Sequence, residues 1–184
     1  MRIISGTARG RKLKEPADYR VRPTTDKVKE SIFNIIQFDI EGRKVLDLFA
    51  GSGQLGIEAL SRGAASATFV DRATDSLKLV RENIKTSGLG DGARVVAADS
   101  IAFLSGGEKF DIIFLDPPYD TDLLEKSLVS INKFDILKEN GIIVCESQRE
   151  KELPAVNEPY YLLKEYNYGK IRITTFSRRA DQKG

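Results

Sequence analysis

Asp116-Pro117-Pro118-Tyr119 puts a carboxylate, two prolines and an aromatic ring into four consecutive residues. Two prolines stiffen a loop and remove two backbone donors, leaving carbonyls as acceptors. A planar amine suits that set. The Asp116 side chain and the Pro117 carbonyl can each accept a hydrogen bond from an –NH2 group, Pro118 holds the loop rigid, and Tyr119 can stack on the ring that carries the amine. The exocyclic amine of a nucleic-acid base is a poor nucleophile, because its lone pair is delocalised into the ring. Two acceptors on its hydrogens pull the nitrogen toward tetrahedral geometry, and a carboxylate stabilises the cation that forms as it attacks. The competing reading is a plain strand-ending turn, a common place for Asp-Pro and Pro-Pro.

A second constellation lies upstream. Gly51, Gly53 and Gly56 satisfy GxGxxG in Asp47-Leu48-Phe49-Ala50-Gly51-Ser52-Gly53-Gln54-Leu55-Gly56, and Asp71 follows Gly51 by 20 residues. Between a strand and a helix, that spacing marks a nucleoside-containing cofactor whose ribose hydroxyls donate to the acid. Asp47 discriminates between cofactors. A carboxylate beside the glycine loop repels a pyrophosphate but suits S-adenosylmethionine, which carries an ammonium and a sulfonium. Asp47 as a strand-end residue bonded to loop amides is the alternative. Asp99-Ser100 can reach an adenine amino group or cap a helix, and both roles are compatible. Arg72 either flanks the adenine or is simply exposed.

Absences narrow the chemistry further. The chain has 184 residues, no histidine, no tryptophan and one cysteine. Ser-His-Asp triads, Cys-His pairs and His- or Cys-rich zinc sites are therefore excluded, and no metal is expected. Cys145, inside the run Gly141–Cys145, reads as a buried core residue. Neither a signal peptide nor a membrane span is visible, which predicts a cytoplasmic protein without a membrane partner.

The elements that must position these residues follow from periodicity. Thr24 or Thr25 can cap a helix whose apolar face is Val28, Ile32, Ile35 and Ile36, running to about Phe38. Strands are predicted at Lys44–Phe49, Ala67–Val70, Arg94–Ala98, Phe110–Leu115 and Gly141–Glu146. Helices are predicted at Gln54–Ser61, Thr74–Thr86 and Thr121–Asn132. The alternation implies a mostly parallel α/β sheet with helices on both faces. Tyr160–Tyr168 and Lys170–Phe176 alternate at period two and read as an antiparallel hairpin on the sheet edge. Ligands of such sheets bind at the carboxyl ends of the strands, where both constellations fall.

Net charge is +2, but residues 1–29 alone carry +6 and the remainder −4. A polyanion docked on a basic arm, residues 1–23, against the α/β domain, residues 24–184, explains that division; a solvated flexible tail explains it equally. The candidates for phosphate contact are Arg2, Arg9, Arg11, Lys12, Arg20, Arg22, Thr24 and Lys27, with Lys170 and Arg172 in the hairpin. Surface solvation is the alternative for the last two.

Together, Asp47–Gly53, Asp71, Asp99 and Asp116–Tyr119 resemble the pattern of amino-methylating class I methyltransferases. Arg2-Ile3-Ile4-Ser5-Gly6, Arg9-Gly10-Arg11-Lys12-Leu13 and Arg22-Pro23-Thr24-Thr25-Asp26-Lys27-Val28-Lys29-Glu30 resemble the bacterial RsmD-type enzymes, 16S ribosomal RNA guanine-N2 methyltransferases. The resemblance covers nearly the whole chain. It implies a Rossmann-like seven-stranded sheet, S-adenosylmethionine as methyl donor with S-adenosylhomocysteine as product, and a small-subunit assembly intermediate as substrate; the protein is expected to be a monomer. It also implies that Asp116 to Tyr119 hold the guanine amine, that Asp47, Gly51, Gly53, Asp71 and Asp99 hold the cofactor, and that Arg22-Pro23-Thr24 lies over the site; Phe49, Arg72 and Ser100 are further candidates for cofactor contact. The chain departs from that pattern at Ser5-Gly6, where paired glycines are expected, at Asp18-Tyr19, and at Gln54, where a small residue is usual. Three other readings use parts of the same evidence: an adenine-N6 methyltransferase, a nicotinamide-dependent oxidoreductase and a non-catalytic RNA-binding module.

Overall fold

Side chains that alternate between the two faces along the strands build a core on each side of one sheet. The computed structural model describes residues 1–16 and 25–181. The strands are β1 Lys44–Asp47, β2 Ser66–Asp71, β3 Ala93–Ala97, β4 Phe110–Leu115, β5 Leu137–Gln148, β6 Tyr160–Tyr168 and β7 Ile171–Arg178. They hydrogen-bond in the order β3-β2-β1-β4-β5-β7-β6. Pairing is parallel from β3 to β5 and antiparallel at β5–β7 and β7–β6, as the sequence predicts. The helices are α1 Asp26–Ile35, α2 Gln54–Ser61, α3 Thr74–Ser87, α4 Ser100–Leu104 and α5 Leu123–Phe134.

Val45, Phe69, Ile112, Phe114 and Val144 meet Ile32 and Phe33 of α1, Leu55 and Ile57 of α2 and Val80 of α3 on one face. Leu46, Val70, Ile113, Leu115 and Cys145 meet Leu104 of α4 and Leu124, Leu128 and Ile131 of α5 on the other. Successive strand residues thus serve opposite cores, which is why β4 is buried at all six positions.

Boundaries differ from expectation where side chains intervene. Thr25 caps α1, its hydroxyl accepting from Val28 N at 3.3 Å. The helix stops at Ile35 rather than near Phe38, which is 92% exposed. β1 ends at Asp47, not Phe49, where the chain turns into the glycine loop. α5 begins at Leu123, because the Thr121 hydroxyl donates to the Pro118 carbonyl at 2.7 Å and holds that residue in the preceding turn. β5 is longer than expected, and α4 is an addition to the sequence reading.

The amino-terminal segment is part of the fold rather than a loose tail. Residues 1–13 double back through an antiparallel bridge at Arg2 and Lys12. Ile3, Ala8 and Leu13 are 1%, 3% and 5% exposed within the α1–α3 core. Gly6 makes the docking possible. Its φ is +82°, and a Cβ there would lie 1.8 Å from the Ser61 carbonyl oxygen at the end of α2. The chain thus keeps glycine at the one position of the Ser5-Gly6 pair where a close approach demands it. Arg20, Arg22, Thr24 and Asp18-Tyr19 lie outside the described residues. Among the described residues, no helix is long and apolar enough to cross a membrane.

Candidate active site

The sheet reverses its winding between β1 and β4, so the loops leaving these neighbours diverge and open a crevice at their carboxyl ends. A cavity of about 410 Å³ fills it. Phe49, Gly51, Asp71, Arg72, Asp99 and Ser100 line the part beside β1–β3, and Asp116, Pro117, Pro118, Tyr119 and Glu146 the part beside β4 and β5. Residues separated by as many as 98 positions in sequence, Leu48 to Glu146, therefore share one cavity. That volume lies in the usual range for a small-molecule ligand.

Asp71, at the end of β2, shapes the glycine loop. Its Oδ2 accepts from Gly51 N at 3.0 Å, and its Oδ1 from Ala73 N at 2.8 Å. Gly51 and Gly53 take φ of 53° and 80°, values that L side chains rarely adopt. Gly56 answers a different need: a Cβ would lie 2.3 Å from the Phe69 ring, so glycine sets how closely α2 packs on β2. Asn83 of α3, fully buried, ties this loop to the amino-terminal segment, donating to Ser52 O at 2.9 Å and to Lys14 O at 3.1 Å. Asp99 caps α4, its Oδ1 accepting from Ile101 N and Ala102 N at 3.0 Å each, while it also lines the cavity. Arg72 is exposed at the rim.

Asp47 and Gly53 do not line that cavity. Asp47 is 2% exposed and accepts from Gly56 N at 3.0 Å, the loop-amide role weighed as its alternative. Burial pushes its carboxyl up to about 7; the Gly56 bond opposes this and the charge of Asp71 adds to it. The folded protein therefore keeps this proton over a pH range in which the unfolded chain, with an ordinary carboxyl near 3.8, has released it. Stability from this group falls as pH rises through that window and is level above it. In denaturant titrations the protein is expected to lose about 3 kcal/mol from Asp47 between about pH 5 and about pH 8. Asp47→Asn removes that slope. Near pH 8 the variant is expected to be more stable by about 2 kcal/mol, the remainder offset by the buried amide's unmade hydrogen bonds.

At the other end Asp116 follows Leu115, whose strand partner is Cys145; Glu146 follows Cys145. The two carboxylates thus emerge from neighbouring positions of adjacent parallel strands, which run ~4.8 Å apart. Asp116 is half-buried, Pro117 buried and Pro118 exposed, its carbonyl taken by Thr121. The Tyr119 hydroxyl donates to Glu146 Oε1 at 2.6 Å, and Glu146 is 5% exposed. Sequence pattern misses Glu146, although one signal is present: a charged residue at the carboxyl end of an otherwise apolar strand. Among the described residues of the cavity lining, Asp71, Asp99, Asp116, Asp120 and Glu146 stand with one cation, Arg72. Such a lining favours a cationic ligand and disfavours a pyrophosphate.

A family profile described as Conserved hypothetical protein 95 matches residues 1–177. Ribosomal RNA small subunit methyltransferase D of Escherichia coli (strain K12) is 40% identical over 183 residues, covering 98% of this chain and 91% of the relative. The chain belongs to the RsmD family. A candidate rRNA methyltransferase of Bacillus subtilis (strain 168), YlbH, is 44% identical over 184 residues, covering 98% of this chain and all of the relative. Among solved structures, a candidate methyltransferase of Escherichia coli, yhhF, superposes with a TM-score of 0.89 at 37% identity, over 98% of this chain and 99% of the other. The RsmD family fold is the seven-stranded class I methyltransferase sheet that the resemblance implies.

The basic candidates divide by their contacts. Arg2 pairs with Asp26 at 3.5 Å, Arg11 donates to the Ser87 carbonyl, and Arg172 donates to the Lys151 carbonyl and pairs with Glu165 at 3.5 Å. Arg172 is held inside the fold, with a side chain only 17% exposed. Arg9, Lys12, Lys27 and Lys170 are exposed. Lys170 precedes Ile171, whose partner is Gln148 at the carboxyl end of β5, so it stands at the cavity end of the sheet.

Proposed function

We propose that the protein transfers a methyl group from S-adenosylmethionine to the exocyclic N2 amine of a guanine in small-subunit ribosomal RNA. One observation supports this above the rest: a single cavity runs from Asp71 and Asp99, suited to a ribose and an adenine, to Asp116, Pro117 and Tyr119, suited to a planar amine. The acidic lining also fits the donor, which carries an ammonium and a sulfonium and no phosphate. When bound, that cofactor supplies an electrophilic methyl group on sulfur.

The chain's own residues hold and activate the amine. Asp116 and the Pro117 carbonyl each accept one N–H of the amine. Tyr119 stacks on the base plane, its hydroxyl anchored on Glu146. As positive charge develops on nitrogen, Asp116 stabilises it and receives the departing proton, directly or through water. Much of the acceleration comes from fixing two reactants in one cavity. The base must come from an unpaired region or leave its stack to enter. Arg9, Lys12, Lys27 and Lys170 would then contact flanking phosphates. The Escherichia coli relative's name, a small-subunit ribosomal RNA methyltransferase, supports the choice of polymer.

The test is incubation with tritium-labelled S-adenosylmethionine and separate RNA, small-subunit and duplex DNA acceptors, followed by digestion to nucleosides. Label is expected in N2-methylguanosine from small-subunit RNA. Label confined to N6-methyladenosine would replace guanine with adenine, and no transfer to any acceptor would favour a non-catalytic RNA-binding module. Stabilisation by NADH, without any by S-adenosylhomocysteine, would favour an oxidoreductase.

A further inference from the structure

We infer that Glu146 determines base specificity by accepting the guanine N1–H beside the amine held by Asp116. The inference rests on the guanine-N2 reading above and adds a residue and a selection rule to it. Guanine presents N1–H and both N2 hydrogens side by side along one edge. Adenine presents an amine next to N1, which is a lone pair. A pocket that tells these bases apart needs a second acceptor placed one ring atom away from the first.

Asp116 and Glu146 are two acceptors at neighbouring strand positions. They follow the paired residues Leu115 and Cys145 on adjacent parallel strands, and both line the same end of the cavity. Glu146 is 5% exposed, so its carboxylate is shielded from water and its interactions are strengthened. A carboxylate offers about four acceptor positions, and the Tyr119 hydroxyl uses one at Oε1. The bond to Tyr119 also sets the carboxylate's direction relative to the ring that stacks on the base. An adenine in the same position would turn its N1 lone pair toward a buried anion, which repels it, and would bring no N–H of its own to that carboxylate. A site built to accept an N–H rejects an analogue lacking it far more strongly than an apolar pocket rejects a misfit.

The test compares two bases that share the reacting amine. A synthetic RNA carries either guanine or 2-aminopurine at the methylated position, located by mapping the labelled fragments of a guanine-specific ribonuclease digest. 2-Aminopurine keeps the 2-amine but has an unprotonated N1. The unmodified protein is expected to prefer guanine by about 100-fold in kcat/KM. Glu146→Gln keeps an acceptor for Tyr119 and can donate to an unprotonated N1. Its preference is expected to fall to about 5-fold or less, through both a loss on guanine and a gain on 2-aminopurine. Tyr119→Phe is expected to slow both substrates while keeping the ratio. The inference is overturned if Glu146→Gln leaves the ratio unchanged, or if Tyr119→Phe collapses it equally, which would make Glu146 only a brace for the ring. Absence of N2-methylguanosine with the unmodified protein would instead overturn the guanine reading itself, and this inference with it. Retained S-adenosylhomocysteine binding in both variants shows that the fold is intact.

Discussion

Asp116→Ala is expected to lower the single-turnover rate of methyl transfer by about 10³–10⁴-fold, with S-adenosylhomocysteine affinity unchanged within about threefold. Two contributions combine. General-base assistance from a positioned carboxylate is worth about 10²–10⁴-fold. Electrostatic stabilisation of a developing charge by one preorganised group is worth about 10²–10³-fold. They act through the same side chain, so they do not multiply in full. The carboxylate lies at the β4 end of the cavity, away from Asp71 and Asp99, which is why cofactor affinity is spared. Asp116→Asn keeps an acceptor oxygen for the amine but removes the charge, so its rate is expected to fall between the two. Pre-steady-state transfer of labelled methyl, with calorimetric titration of S-adenosylhomocysteine, separates the two effects. Equal losses of rate and cofactor affinity would mean that Asp116 organises the whole cavity rather than the amine.

Glu58→Ala is expected to destabilise the protein by about 3–5 kcal/mol, the range for removing one partner of a buried ion pair. Glu58, on α2, is fully buried. Its carboxylate accepts from Ile4 N at 2.8 Å, Ser5 N at 3.0 Å and Arg62 Nε at 2.8 Å, and stands 3.8 Å from Lys29 Nζ. Lys29 is buried as deeply on α1, and burial holds its pKa below the usual lysine value although Glu58 pulls it up. Deleting Glu58 leaves that ammonium without its counter-charge and two backbone N–H groups of the docked segment without acceptors. Burial of Ile3 and Leu13, about 1.5–3 kcal/mol each, is of the same size as the loss and does not secure the segment by itself. Amide exchange within residues 1–16 is therefore expected to accelerate together with the drop in denaturation midpoint. Pairing Glu58→Leu with Lys29→Met removes both charges and is expected to recover at least about half of the stability. A drop below about 1 kcal/mol for Glu58→Ala would show that the buried charges are not what fastens the segment.

Patterns that depend on one local period were legible. The run Phe110–Leu115, apolar except for Asp111, gives β4 its full extent, and Gln54–Ser61 gives α2 its full extent, because a glycine loop precedes it and Gly63 follows. The turn to an antiparallel hairpin at Tyr160 was equally visible from its alternation. Elements set by side-chain bonding were not. α4 is five residues long, too short for a helical period, and depends on the Asp99 cap. The start of β5 carries Lys138, Glu139 and Asn140, which read as a polar loop, and Asn140 takes a φ of 57° within it.

The site divides in the same manner. Asp71, Asp99 and Asp116–Tyr119 sit at strand ends, where topology alone directs them to one crevice. Asp47 shares that address but turns its carboxylate to Gly56 N, a choice between two donors that spacing cannot decide. Glu146, Asn83 and Glu58 lie outside any motif, and Lys29 lies in one that says nothing of its burial. Their types are those of solvated surfaces, and only tertiary packing shows that each is buried with partners.

The most direct measurement is a structure of the protein with S-adenosylhomocysteine. The account requires the ribose hydroxyls against Asp71, the adenine beside Asp99 and Ser100, and the sulfur turned toward Asp116 and Pro117, with room left for a flat base against Tyr119. An adenosine bound elsewhere, or a sulfur facing away from Asp116, would contradict it.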